Sequence, residues 1–184
     1  MAFRHQPAGC RTIKVVDAFS DLFAANAEYA SNFGLGDLAA PPSRHVAVIT
    51  CMDARIDPLA ILGLSPGEAH VLRNAGARVT DDVLRSLVKS VNQLGVTRVA
   101  VMHHTDCGAA KIKLPSLRQK VLEATGNDPA DVDFHLIDDQ DYAIRADVEA
   151  LQHHPYLPAG IEVVGLLYDV HTGVAELKLS AVVA

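Results

Sequence analysis

The sequence predicts an α/β fold: a mostly parallel sheet of about four strands plus an antiparallel edge strand, with helices on both faces. Three observations carry this expectation. Short β-rich apolar runs alternate along the chain with segments of helical period. Those runs are apolar throughout rather than every second residue, as parallel strands buried on both sides should be. Glycine, proline and capping residues punctuate the boundaries between them.

The elements follow in order. Residues 17–33 place Phe19, Leu22, Phe23 and Tyr29 at helical spacing, an amphipathic helix closed by Gly34 and Gly36. Pro41 and Pro42 reset the chain, and residues 45–50 (HVAVIT) form a first strand. Asp57-Pro58 reads as a helix start. The stretch 63–67 is a turn, without the glycine pattern or lysine of a phosphate loop. Residues 69–73 (AHVLR) form the second strand. Thr80, with Asp81 and Asp82 behind it, caps a helix that runs to about Leu94 and stops at Gly95. Residues 97–103 (TRVAVMH) are the third strand. Residues 111–125 form a helix broken near Pro115, and 138–153 another. Residues 161–168 (IEVVGLLY) are the fourth strand, and 174–182 an edge strand reached through Thr172-Gly173.

Length and composition narrow the classes. A chain of 184 residues, 49% hydrophobic, suits one domain with a substantial core. Acidic residues outnumber basic ones 22 to 16 and there is no Trp, which argues against a nucleic-acid partner needing a basic face and stacking aromatics. No apolar run approaches the ~20 residues of a membrane span. Residues 1–10 lack the apolar stretch of a signal peptide, so a cytoplasmic protein is expected. Three cysteines are too few for a disulfide scaffold, and cysteine near histidine then points to metal or catalysis. Cys10, in a polar segment, reads as an incidental thiol.

Ligands of α/β sheets bind beyond the carboxyl ends of the strands. Cys51-Met52-Asp53-Ala54-Arg55 follows the first strand, and His104-Thr105-Asp106-Cys107-Gly108 ends the third. Cys51, His104 and Cys107 together make a Cys₂His set suited to tetrahedral zinc. Three protein ligands leave a fourth position for water, as in catalytic rather than structural sites. The alternative is two buried thiols acting as small hydrophobes. Asp53 and Arg55 can form a bidentate pair. Arg55 would hold Asp53 ionised, so that Asp53 accepts a hydrogen bond from water on the metal, or else swings onto the metal as a fourth ligand. His103, alternating away from His104, reads as a packed or hydrogen-bonded histidine. Asp106 is expected on loop amides, and Gly108 at a sharp turn after Cys107.

These residues resemble the β-class carbonic anhydrases. The likeness lies in C-x-D-x-R at Cys51, Asp53 and Arg55, in Arg73-Asn74-Ala75-Gly76, and in H-x-x-C-G at His104, Cys107 and Gly108. The short chain and the stretch Met52-Asp53-Ala54-Arg55-Ile56-Asp57-Pro58 look like the compact bacterial and archaeal branch. The resemblance implies a zinc enzyme in which zinc-bound hydroxide attacks carbon dioxide to give bicarbonate and a proton. It implies Cys51, His104 and Cys107 as zinc ligands, Asp53 and Arg55 as the catalytic dyad, and Gly76 at the edge of the substrate pocket. It implies a single domain over 1–184, with a helical arm over 1–40 that clasps a second copy and an α/β core over 41–184, assembled as a homodimer or dimer of dimers. The same branch includes hydrolases of carbon disulfide and carbonyl sulfide, which the metal motif does not separate, and a non-catalytic zinc-stabilised module is a further alternative. The pocket glutamine often seen in the family has no clear counterpart before Cys51, since Gln6 is the only glutamine there.

Overall fold

The computed structural model describes residues 18–184; Gln6, Cys10 and the first residue of the expected amphipathic helix lie outside them. The described residues divide into two compact units, one ending at Leu38 and the other running over residues 39–184. In the first unit, helix α1 (Ser20–Ser31) has no buried residue, and its apolar side chains Leu22, Phe23 and Tyr29 are all more than half exposed. Tyr29 and Phe33 pack ring against ring at 5.5 Å.

The second unit carries the sheet. Its strands are β1 (Val46–Cys51), β2 (Ala69–Asn74), β3 (Arg98–His104), β4 (Glu162–Tyr168) and β5 (Ala175–Val182), in the order β2-β1-β3-β4-β5. The first four are parallel, and β5 pairs antiparallel with β4 at the edge, as expected. The helices are α2 (Pro58–Ile61), α3 (Asp81–Leu94), α4 (Gly108–Lys111), α5 (Leu114–Thr125) and α6 (Gln140–Gln152). Asp57 caps α2 by accepting from the amides of Leu59 and Ala60, with Pro58 in the first turn, where its missing N–H costs nothing. The expected helix over 111–125 is two helices. The break falls at Ile112 and Lys113, both extended, and Pro115 sits in the first turn of α5 rather than at the break.

Helical period decides what packs on the sheet. Val83, Leu87 and Val91 of α3 and Val148 and Leu151 of α6 recur at helical spacing, and they share one buried cluster with Ala47, Ile49, Val99, Val101 and Val163. By strand alternation those strand residues face one side of the sheet, so α3 and α6 lie on the same side. Met102 faces the other side and belongs to a second cluster with Ile56, against which Ile61 of α2 packs. Gly165 lets α6 approach β4 closely. A Cβ there would stand 2.6 Å from Ile144 Cγ2 and 2.7 Å from Leu179 Cδ2.

The strand order places the site. From β1 the chain runs to β2 on one side, and from β2 it crosses back past β1 to β3 on the other, so the strand order reverses between β1 and β3. A crevice opens at the carboxyl ends of adjacent strands where connections leave in opposite directions. Cys51 ends β1 and His104 ends β3, one on each side of that crevice.

Candidate metal centre

The buried trio Cys51, His104 and Cys107 comes together at this crevice, with one potential ligand atom from each and all of them within 4.8 Å of one another. The two sulfurs are 4.0 Å apart. The H-x-x-C spacing closes on Cys51 because Asp106 adopts φ 58°, a left-handed conformation that aspartate tolerates better than most residues. Gly108, the expected turning residue, is not in that region. It begins α4 directly after Cys107, which occupies the cap position.

The donor chemistry fits a soft or borderline cation. His104 Nδ1–H donates to the Thr105 carbonyl at 2.8 Å, which leaves the lone pair on Nε2. That Nε2 is buried and has no hydrogen-bond partner. Leaving a buried polar atom unpaired costs about 1–3 kcal/mol, a cost that a metal at this position removes. The two thiols are equally unsettled without a cation. Their shared hydrogen bond pulls the Cys51 thiol well down and, with burial, pushes the Cys107 thiol up, so only one ionises readily. A divalent cation stabilises both thiolates. The Gly76 amide donates to Cys51 Sγ at 3.3 Å. Two thiolates and one imidazole are the donor set of a three-ligand zinc site.

Asp53 and Arg55 form the expected pair, and it is closely tied. Arg55 Nε donates to Asp53 Oδ1 at 3.0 Å, Nη2 donates to Oδ2 at 2.8 Å, and the Arg55 amide adds a third bond at 3.0 Å. These contacts hold the Asp53 carboxyl far below the usual carboxylate range. Its Oδ2 lies 3.9 Å from His104 Nε2, at the rim of the trio. Asp106 does not take the expected place on loop amides. It accepts from Arg55 Nη1 at 2.9 Å and pairs with Lys111, whose ammonium group, with Arg55 behind it, draws the Asp106 carboxyl down to about 2.

Sequence reasoning missed several neighbours. Arg73 donates to the carbonyls of Cys51 and Asp53 at 2.9 and 2.8 Å, fixing the backbone between the two. Its sequence signal was a cation at the carboxyl end of an apolar strand, heading the Arg73–Gly76 segment. The pocket wall was also unread. An apolar cavity of about 210 Å³ opens beside Cys51, Asp53 and Gly76 and is walled by Ile112, Leu117, Phe134 and Leu136. Its signal was the alternation of Val132, Phe134 and Leu136 in a segment with no other assignment. His103, as expected, is packed and bonded: fully buried, it accepts from Gln140 Nε2 at 2.7 Å and donates to Asp147 at 3.0 Å.

Comparisons with known proteins agree with this chemistry. The family model described as carbonic anhydrase matches residues 46–175. The β-carbonic anhydrase 1 of Mycobacterium tuberculosis is 39% identical over 153 residues, covering 83% of this chain and 93% of that protein. A carbon disulfide hydrolase from an Acidianus strain is 31% identical over 157 residues, covering 72% and 76%. The crystal structure of the carbonic anhydrase from Streptococcus mutans superposes with a TM-score of 0.83 at 40% identity, covering 88% of this chain and 97% of that one. β-Carbonic anhydrases use zinc, and the trio is a group able to hold it. With matches of this extent, the chain belongs to the β-carbonic anhydrase family.

Proposed function

We propose that the chain catalyses the reversible hydration of carbon dioxide to bicarbonate and a proton, with zinc held by Cys51, His104 and Cys107. The observation that carries this reading is the orphaned His104 Nε2, within 4.8 Å of two thiols, one of which, that of Cys51, lines an apolar cavity. Zinc held there supplies a Lewis acid that makes water nucleophilic near neutral pH. The residues of the chain supply the rest. Thr105, through its carbonyl, fixes the His104 tautomer. Arg55 holds both oxygens of Asp53, which keeps the carboxylate ionised and off the metal position. Asp53 Oδ2, at the rim, accepts a hydrogen bond from the attacking water and orients it. The strong Arg55 contact leaves Asp53 a poor proton store, so the proton released on hydration passes on to solvent. Gly76 borders the substrate, and Ile112, Leu117, Phe134 and Leu136 offer a linear apolar triatomic an apolar wall.

The same reading takes residues 1–184 as one functional domain in the cytoplasm, with the 1–40 arm gripping a second copy to give a homodimer or dimer of dimers. The exposed Leu22, Phe23 and Tyr29 on α1 support an intermolecular role for that arm. Among the described residues no helix is long and apolar enough to cross a membrane.

Stopped-flow hydration assays on zinc-loaded protein across pH 6–9 test the activity. A rate above buffer supports it, and the buffer rate alone overturns it. The carbon disulfide hydrolase among the relatives supports a second reading, carbon disulfide or carbonyl sulfide hydrolysis at the same site. Hydrogen sulfide release from either compound at a higher kcat/KM than carbon dioxide hydration would select that reading.

A further inference from the structure

We infer that Asp147 is a positioning residue of the metal site, holding the loop that aims the Gly76 amide at Cys51 Sγ. This rests on the zinc reading above. Asp147 is out of place by helical pattern. It sits on the inward face of α6 among Ala143, Ile144, Val148 and Leu151, where an aliphatic side chain would pack, and it is 3% exposed. A carboxylate so deeply buried needs full pairing. It has that pairing: Oδ1 accepts the Val79 amide at 2.9 Å, and Oδ2 accepts Arg78 Nε at 2.7 Å and His103 Nε2 at 3.0 Å. Two distant stretches of chain thus meet on one side chain. One is the residue next to His104 on β3, and the other is the loop leaving β2.

That loop is in a conformation it would not hold unaided. Gly76 and Ala77 are both left-handed, at φ 89° and 62°, and Ala77 is fully buried. A non-glycine residue persists there only where its surroundings over-determine it. Asn74 closes the loop from inside, since its side chain accepts the Arg78 amide at 2.9 Å and donates to the Arg78 carbonyl at 2.7 Å. Asp147 closes it from outside through Val79 and Arg78. Arg78 reaches on to the His135 carbonyl at 3.4 Å, next to the Phe134 wall. A Cβ on Gly76 would meet Ile137 Cδ1 at 3.1 Å and Ala109 Cβ at 3.2 Å, so the loop has little room to shift inward. The product of this bracing is the amide bond to Cys51 Sγ. An N–H donated to the Cys51 thiolate stabilises its charged form and would hold the sulfur in place for a metal. Asp147 therefore acts on the site through backbone, without touching it.

The test uses the full chain loaded with Co²⁺ or Zn²⁺, in wild type, Asp147→Asn, Arg78→Met and the neighbouring core variant Val148→Ala. Asp147→Asn should shift the thiolate-to-cobalt charge-transfer band and weaken zinc about tenfold in chelator competition. Arg78→Met should move both in the same direction. Val148→Ala should lower Tm and move neither. If Asp147→Asn lowers Tm while its band and zinc affinity stay at wild-type values, Asp147 serves the fold alone and the inference falls. If Asp147→Asn does not fold, Arg78→Met decides by the same two readouts. A wild-type protein that shows no charge-transfer band with Co²⁺ overturns the zinc reading itself, and the inference with it.

Discussion

Asp53 Oδ2 lies 3.9 Å from His104 Nε2, while both oxygens of that carboxylate are held by Arg55. The carboxylate is thus close to the metal position yet committed elsewhere. Arg55 is itself held by Asp106, through Nη1 at 2.9 Å and through its carbonyl at 3.2 Å, and Asp106 is paired to Lys111. The chain of charges keeps Arg55 turned toward Asp53, although the guanidinium is partly exposed.

Removing the arginine should release the carboxylate. Arg55→Ala is expected to lower kcat/KM for carbon dioxide by about 10- to 100-fold, because Asp53 then competes for the fourth position. Arg55→Lys should recover only part of the loss, since an ammonium cannot make the planar two-point contact. Stopped-flow kinetics on zinc-replete protein make the comparison. Wild-type kinetics in Arg55→Ala would remove the pair from the mechanism.

The cavity wall should set the choice among triatomics. Phe134 is its one aromatic side chain. Phe134→Ala widens the space, and the ratio of kcat/KM for carbon disulfide to that for carbon dioxide is expected to rise by about tenfold, within the range that a change in apolar pocket size commands. The ratio is read from hydrogen sulfide release and hydration rates on one preparation. An unchanged ratio would mean that the wall does not select.

Acid should weaken the fold through Asp147. Burial pushes its carboxyl up, but hydrogen bonds from His103, Arg78 and the Val79 amide outweigh burial and leave it below the ordinary value. A carboxyl lowered in the folded state binds fewer protons there than in the unfolded state, so stability rises with pH through that range. The Asp147 contribution is therefore complete above about pH 4 and is lost as pH falls through the lowered folded value. At pH 7 Asp147→Asn should cost about 3–5 kcal/mol, the usual result of removing one partner from a buried ion pair. The gap between variant and wild type should narrow from pH 4 downward in urea titrations. A gap independent of pH would contradict the assignment.

Gly165→Ala should destabilise by about 1–3 kcal/mol, because the new methyl overlaps the branched Ile144 and Leu179. For a chain of this size that corresponds to a Tm lower by several degrees. The measurement is calorimetric, and an unchanged Tm would show that α6 can lift from β4 without cost.

Much of this architecture was legible because its signals are local. Continuous apolar runs such as HVAVIT marked the buried strands. Asp57-Pro58 and Gly95 marked helix ends. That Cys51, His104 and Cys107 come together was legible because they are rare residue types at strand ends, where the topology brings them into one place. What escaped depends on long-range packing. Nothing near Asp147 announces a partner on β3 or in the loop after β2, 44 and 69 residues away. Asp106 was read as a loop residue because its partner Arg55 lies 51 residues upstream. Phe134 and Leu136 stand in a segment without regular structure, so their alternation with Val132 had no strand or helix to give it a face. The turn credited to Gly108 belongs to Asp106, since the left-handed position falls inside the ligand spacing rather than after it.

X-ray absorption at the zinc edge, on protein with its metal content counted, tests the central claim most directly. The account predicts one zinc per chain bound by two sulfurs at about 2.3 Å and two nitrogen or oxygen donors at about 2.0–2.2 Å. Zinc bound with a different sulfur count, or a protein that retains no zinc and still hydrates carbon dioxide, would contradict it.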